Sequence, residues 1–124
     1  MFSQFKSRGI RGAITVAENN YEEIEDATIE LLTTIIDAND IDFDDISHVI
    51  FTLTHDLDAG FPAKAARLHL GWDDVPMICT QELPVPGSLP NCIRVLVVVN
   101  TKAHPSEIIH VYLGGAKFLR PDLA

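Results

Sequence analysis

Cys92-Ile93-Arg94-Val95-Leu96-Val97-Val98-Val99 is the stretch on which the fold turns. Its β-branched aliphatics, with no clean alternation of apolar and polar positions, read as a strand buried on both faces. Arg94 interrupts that run. A guanidinium does not discard its charge by deprotonating, so at such a place it needs an anionic partner or a strongly polar cavity. Two readings stay open at this point. One is a structural ion pair, or an Arg snorkelling from an edge strand. The other is a side chain aimed into a cleft, where it meets an anionic ligand.

Upstream of this strand, residues 9–16 read as a first strand, with Ile10, Ile14 and Val16 apolar and Arg11 on the alternate side. Asn20, with Glu23 three residues on, resembles a helix cap. Ile24, Thr28, Leu31 and Ile35 then draw one face of a helix of about four turns. Glu22, Glu23, Glu25 and Asp26 sit in its first turns, where the helix dipole favours negative charge. A further helical turn is expected over 42–46, a second strand over 47–54 and a loop over 55–60. Pro62 suits the start of a second helix over 63–70, and Gly71 its stop. A short third strand is expected over 75–80. The segment 82–90 holds Pro84, Pro86, Gly87 and Pro90, too many breakers for regular structure.

Strand four is expected over 92–101, and Pro105-Ser106-Glu107 begins a helical turn. A fifth strand over 109–113 is followed by a turn at Gly114-Gly115 and a last short strand over 117–119. Helices and strands alternate early and strands dominate later. The expected class is therefore α/β (α+β): a single mixed sheet of about five to six strands covered by two helices, in one domain spanning 1–124.

At 124 residues the chain is long enough to bury a real core. Its net charge of −9, from 9 basic against 18 acidic residues, argues against nucleic acid and anionic membrane surfaces as partners. The aliphatic run 95–99 is far too short to span a bilayer. Residues 1–8 lack the apolar centre of a signal peptide, so a cytoplasmic location is expected. Cys79 and Cys92 fit no zinc spacing and read as free thiols in a reducing compartment. Arg11, Arg94 and Arg120 lie in or beside apolar, strand-like segments, an arrangement that would concentrate positive potential in one place of an acidic protein.

Motifs for other chemistries are missing from the sequence. His55, Asp56 and Asp58 match neither a helical ligand pair nor a calcium loop, and no metal is expected. His48, His69, His104 and His110 are dispersed, there is no nucleophile elbow, and Gly9 and Gly12 do not open a helix as a phosphate loop would. What remains is a set of isolated polar residues within or at the ends of strands: Arg11, Cys79, Glu82, Arg94, Tyr112 and Arg120. Together they supply cationic forks, a carboxylate and a phenol, suited to a small polycarboxylate that carries a hydroxyl.

Six segments, in order, are similar to one known family: Arg8-Gly9-Ile10-Arg11-Gly12-Ala13, Phe61-Pro62-Ala63-Lys64-Ala65, Gln81-Glu82, Cys92-Ile93-Arg94-Val95, His110-Val111-Tyr112-Leu113, and Leu119-Arg120-Pro121-Asp122-Leu123. They resemble the monofunctional bacterial chorismate mutases of the trimeric pseudo-α/β-barrel class. The resemblance implies a homotrimer with clefts between adjacent chains and a rearrangement of chorismate to prephenate, on the route to phenylalanine and tyrosine, without metal or organic cofactor. It implies that Arg11 binds a substrate carboxylate and that Arg94 meets the ether oxygen that gains charge as the C–O bond breaks. Glu82 would accept the ring hydroxyl and face the developing ring cation, Tyr112 would contact a carboxylate, and Cys79 would lie near Glu82. Ile78, Thr80 and Gln81 would complete the substrate-contacting stretch, although Ile78 and Thr80 depart from the residues usual there. Phe61, Ala63, Lys64 and Leu119 would line the pocket, with Arg67 and Arg120 adding positive potential at its mouth.

Two other readings compete. Trimeric proteins resembling the imine-deaminase family share such interface clefts and would need one interface Arg. A non-catalytic module that senses an aromatic-pathway metabolite is the other. Fold alone does not separate these three.

Overall fold

The Asn20 side chain accepts the Glu23 N–H at 2.8 Å, and helix α1 (Tyr21–Asn39) follows directly. The face drawn by Ile24, Thr28, Leu31 and Ile35 is buried as its spacing requires. Thr28 sits within it because its hydroxyl donates to the Ile24 carbonyl at 2.7 Å. Helix α2 (Pro62–Leu70) has Pro62 in its first turn and ends at Gly71, which takes a left-handed φ of 71°. Short 3-10 turns cover Phe43–Asp45 and Pro105–Glu107, both where the sequence places a helical turn.

This computed structural model describes residues 4–119. Strands β1 (Lys6–Thr15), β2 (Ile46–Leu53), β3 (Met77–Gln81), β4 (Cys92–Thr101) and β5 (Val111–Leu113) form one sheet in the order β3-β2-β4-β1-β5. The sheet is mixed: β4 runs antiparallel to β1 and β2, while the outer pairs β2–β3 and β1–β5 are parallel. Helix α1 packs on β1 and β5, α2 on β3, and the helices touch each other, so both cover the same face. Gly12 marks the closest approach. A Cβ there would stand 2.8 Å from Ile35 Cδ1 and 3.1 Å from Leu31 Cδ1.

One-sided cover corrects the first expectation about β4. Ile93, Val95, Val97 and Val99 are buried, but Arg94, Leu96 and Val98 on the other face stay partly exposed. The aliphatic run hides an alternation that only the placement of the helices makes visible. Strand β2 repeats it, with Val49, Phe51 and Leu53 inside and Ile50 and Thr52 facing out.

Two expectations near the C-terminus also change. Strand β5 begins at Val111 because Ile109 is taken by α1: its N–H donates to Asn39 Oδ1 and its carbonyl accepts from Asn39 Nδ2. The strand expected over 117–119 does not form. Gly114 adopts a left-handed φ of 57°, the Gly115 N–H donates to Thr15 Oγ1 at 2.8 Å, and Gly114–Phe118 coils into a 3-10 helix instead. That coil folds back on β1 and sets Ala116 against Ala13 and Cys92 on the otherwise uncovered face. The segment 82–90 has no regular structure, as its prolines require. Among the described residues, no helix is long and apolar enough to cross a membrane.

Candidate active site

The strand register brings five positions into one line across the uncovered face. Thr80 on β3 pairs with Thr52 on β2, Thr52 with Arg94 on β4, Arg94 with Ala13 on β1, and Ala13 with Tyr112 on β5. Paired positions point their side chains the same way, and Gly12, one residue from Ala13, points at the helices. Arg11 therefore shares the open face with this line.

Arg94 Nε lies 2.7 Å from Glu82 Oε1, with the two side chains 42% and 21% exposed. Nε itself is buried, and its N–H makes no directed hydrogen bond, so the contact is an ion pair in character. The same Glu82 oxygen accepts from Thr52 Oγ1 at 2.6 Å. The Glu82 backbone is tied as well: its N–H donates to the Leu53 carbonyl at 2.9 Å, and its carbonyl lies 3.0 Å from His55 Nε2. Arg94 thus has an anionic partner and also borders a cleft. Neither it nor Arg11, which is exposed, is a core arginine. Both stand on the sheet face that the helices leave open, so the positive potential expected near the core lies at the surface of one chain.

Arg11, Gly12, Arg94, Val95, Tyr112 and Leu119 line a cavity of about 230 Å³. Beside it Ala13, Cys92 and Ala116 form a fully buried patch of small side chains, against which Tyr112 and Leu119 pack. The Arg11 N–H donates to His110 Nδ1 at 2.9 Å, fixing the backbone from which that guanidinium extends. Burial pushes the Cys92 thiol up to about 11, against the opposing Arg94 charge, so it stays protonated at neutral pH.

A second cavity, of about 330 Å³, is bordered by Leu57, Phe61, Cys79, Thr80 and Gln81 among others. Cys79 pairs with Phe51, so its side chain takes the helix-covered face, where it meets the Ala63 backbone. Glu82 belongs to the other face. The expected closeness of Cys79 to Glu82 is therefore one of chain position, since strand alternation turns the two side chains apart. Burial pushes the Cys79 thiol up, with the Ala63 backbone hydrogen bond opposing. Glu82 itself borders a third cavity, of about 280 Å³, with His55, Asp56 and the proline-rich linker.

Other expected site residues stand apart within one chain. Ile78 is mostly exposed and Lys64 and Arg67 are exposed on α2. Lys64 Nζ stands 5.2 Å above the Tyr21 ring. Arg120 lies outside the described residues. In the His55–Asp58 loop, Asp56 accepts from Thr54 Oγ1 and the Asn91 N–H, and Asp58 accepts from Asn19 Nδ2. No group of three ligating side chains able to hold a metal occurs among the described residues.

Sequence reasoning missed Thr52 and His55, whose side chains join Arg94 in holding Glu82. Thr52 carried a faint signal, a polar residue between the buried Phe51 and Leu53. Only the β2–β4 register shows that it faces Arg94.

Fold and site define a class: a small mixed-sheet protein with two arginines, a carboxylate and a phenol gathered on the sheet face its helices leave open. Comparison with known proteins narrows it. The family described as chorismate mutase type I matches residues 7–123. Chorismate mutase AroH of Thermus thermophilus is 51% identical over 117 residues, covering 94% of this chain and 95% of that protein. Chorismate mutase AroH of Bacillus subtilis (strain 168) is 46% identical over 117 residues, covering 94% and 92%. The solved structure of a chorismate mutase from Clostridium thermocellum superposes with a TM-score of 0.87 at 49% identity, covering 90% of this chain and 98% of that one. The chain belongs to the type I chorismate mutase family, a family of isomerases. That membership sets aside the imine-deaminase-like reading.

Proposed function

We propose that this chain, its 124 residues acting as one domain, rearranges chorismate to prephenate as a cytoplasmic homotrimer, in clefts completed by adjacent copies of itself. The rearrangement is concerted, so it needs a compact substrate conformer and a cation fixed where the oxyanion develops, with no nucleophile and no proton transfer. Arg94 supplies that cation at the ether oxygen. Arg11 and Tyr112 hold carboxylate, and Glu82 accepts the ring hydroxyl while opposing positive charge on the ring. Phe61, Ala63, Lys64, Leu119 and the stretch from Ile78 to Gln81 bind and enclose the substrate, with Arg67 and Arg120 at the mouth. A permanently charged planar fork suits the Arg94 role better than an ammonium would.

The observation that carries this reading is the cleft where Arg11, Arg94, Tyr112 and Leu119 converge, beside the Arg94–Glu82 pair. Its volume of about 230 Å³ falls below the roughly 300–1,000 Å³ usual for ligand pockets, and Arg11 is exposed at its edge. Both features support a site that another chain completes. Phe61 and its neighbours border a separate cavity, which supports their contributing to a cleft formed with an adjacent copy.

Purified protein mixed with chorismate should consume it, seen as loss of the ultraviolet absorbance of its diene. Sedimentation should give about three times 13.7 kDa at micromolar concentration. Undiminished chorismate would overturn the activity, and a stable active monomer would overturn the shared cleft.

A further inference from the structure

We propose that Thr52 is a positioning residue for this reaction: its hydroxyl decides which oxygen of Glu82 is left free to meet the substrate. The inference rests on the role given above to Glu82. A carboxylate has two equivalent oxygens and turns easily about its last torsion, which has broad, two-fold preferences. Here the symmetry is broken. Oε1 accepts a hydrogen bond from the Thr52 hydroxyl at 2.6 Å and makes the ion-pair contact with Arg94 Nε at 2.7 Å, while Oε2 takes no hydrogen bond among the described residues. Thr52 is suited to this task because a β-branched side chain has restricted χ1 freedom, and because register sets it directly across from Arg94.

Thr52 also keeps Arg94 available. Carboxylate and guanidinium favour a bidentate pairing, two parallel N–H···O contacts in one plane. In that arrangement both Glu82 oxygens would be turned to Arg94, and the guanidinium would have fewer donors to offer an ether oxygen. The Thr52 hydroxyl anchors Oε1 from the neighbouring strand and holds the pair in its single-oxygen form. Losing that anchor should therefore damage two transition-state contacts while leaving carboxylate recognition by Arg11 and Tyr112 in place.

The test is Thr52→Val, which keeps the branched shape and removes the donor, beside Thr52→Ser, which keeps the donor. A hydrogen bond to a charged group is strong enough that kcat of Thr52→Val should fall about tenfold or more. KM should move by no more than about twofold, since the lost contact matters most in the transition state. Thr52→Ser should recover to within about threefold of the parent kcat. In a Glu82→Gln background, Thr52→Val should add nothing further: the amide oxygen still accepts from Thr52, but the charged carboxylate with its second, free oxygen is gone. Normal kcat in a folded Thr52→Val protein overturns the proposal, as does a full additional loss in the Glu82→Gln background. If Glu82→Gln alone keeps normal kcat, the role of Glu82 is wrong and this inference falls with it, a result distinguishable from failure at Thr52 alone. Should Thr52→Val fail to fold, Thr52→Ala against Thr52→Ser poses the same question, and equal kcat in those two overturns the proposal.

Discussion

The two faces of the central sheet are built from the same strands and do different work. On the helix-covered face, Val49, Phe51, Ile93, Val95, Val97 and Val99 are buried at 5% exposure or less, and none carries a polar atom in its side chain. One residue away along the same strands stand Thr52 and Arg94, in line with Thr80 and Tyr112. The period of two separates the apolar core from the candidate site without separating them in sequence. A sheet whose helices cover one side only can do this, because its other face is free to carry polar side chains.

If the separation is real, substitutions on the two faces should fail in different ways. The largest effect is expected on the covered face. Phe51 is fully buried between β3 and β4 under the helices, so Phe51→Ala should cost about 3–5 kcal/mol of stability, read as a lower Tm or denaturant midpoint. Whatever folded protein remains should turn over chorismate at near-parent kcat. A normal Tm with lost turnover would break the comparison outright.

The open face should give the converse. Replacing Arg94 by citrulline keeps its shape and most hydrogen bonds but removes the charge. Losing one donor from an oxyanion site costs roughly 3–4 kcal/mol, or about 10²–10³ in rate, and loss of a permanent charge there should cost at least as much. The Tm should hardly move, because citrulline keeps the Nε–H that faces Glu82 and the Arg94 side chain is 42% exposed. A citrulline protein that retains kcat would reduce Arg94 to a structural ion pair, one of the two readings its sequence left open.

Much of this architecture is legible in the chain alone. Helix α1 and its cap, helix α2 with Pro62 and Gly71, and the irregular proline segment all follow from local rules that need no tertiary knowledge. The failures share a cause. Burial of β4 on one face only, the coil at Gly114–Phe118 and the late start of β5 depend on partners distant in sequence. For the site, Arg94 stands out because a charge in an aliphatic run is conspicuous. Thr52 does not, because a threonine in a strand is ordinary until register sets it opposite Arg94.

The smallest effect is expected away from both faces, where the N-terminus of α1 meets α2. Lys64 Nζ lies 5.2 Å above the Tyr21 ring, and the ring fits there because Gly60 has no side chain: a Cβ would come within 2.6 Å of Tyr21 Cδ2. A hydrogen bond to Glu25 is the chief cause of the raised Tyr21 pKa, and Glu25 Oε2 also lies 3.0 Å from His69 Nε2 on α2. The ring therefore limits where the Lys64 ammonium can go. An exposed cation–π contact contributes about 0.5–1 kcal/mol, so Tyr21→Leu should raise KM for chorismate about threefold with little change in kcat or Tm. Tyr21→Phe keeps the aromatic face and should remain near the parent KM, which separates the ring from its hydroxyl. The two changes must also be coupled: in a Lys64→Met background, Tyr21→Leu should have no further effect on KM. If it raises KM there as much as in the parent, the ring acts on the cleft by some route other than Lys64, and the rim of the two helices belongs to packing alone.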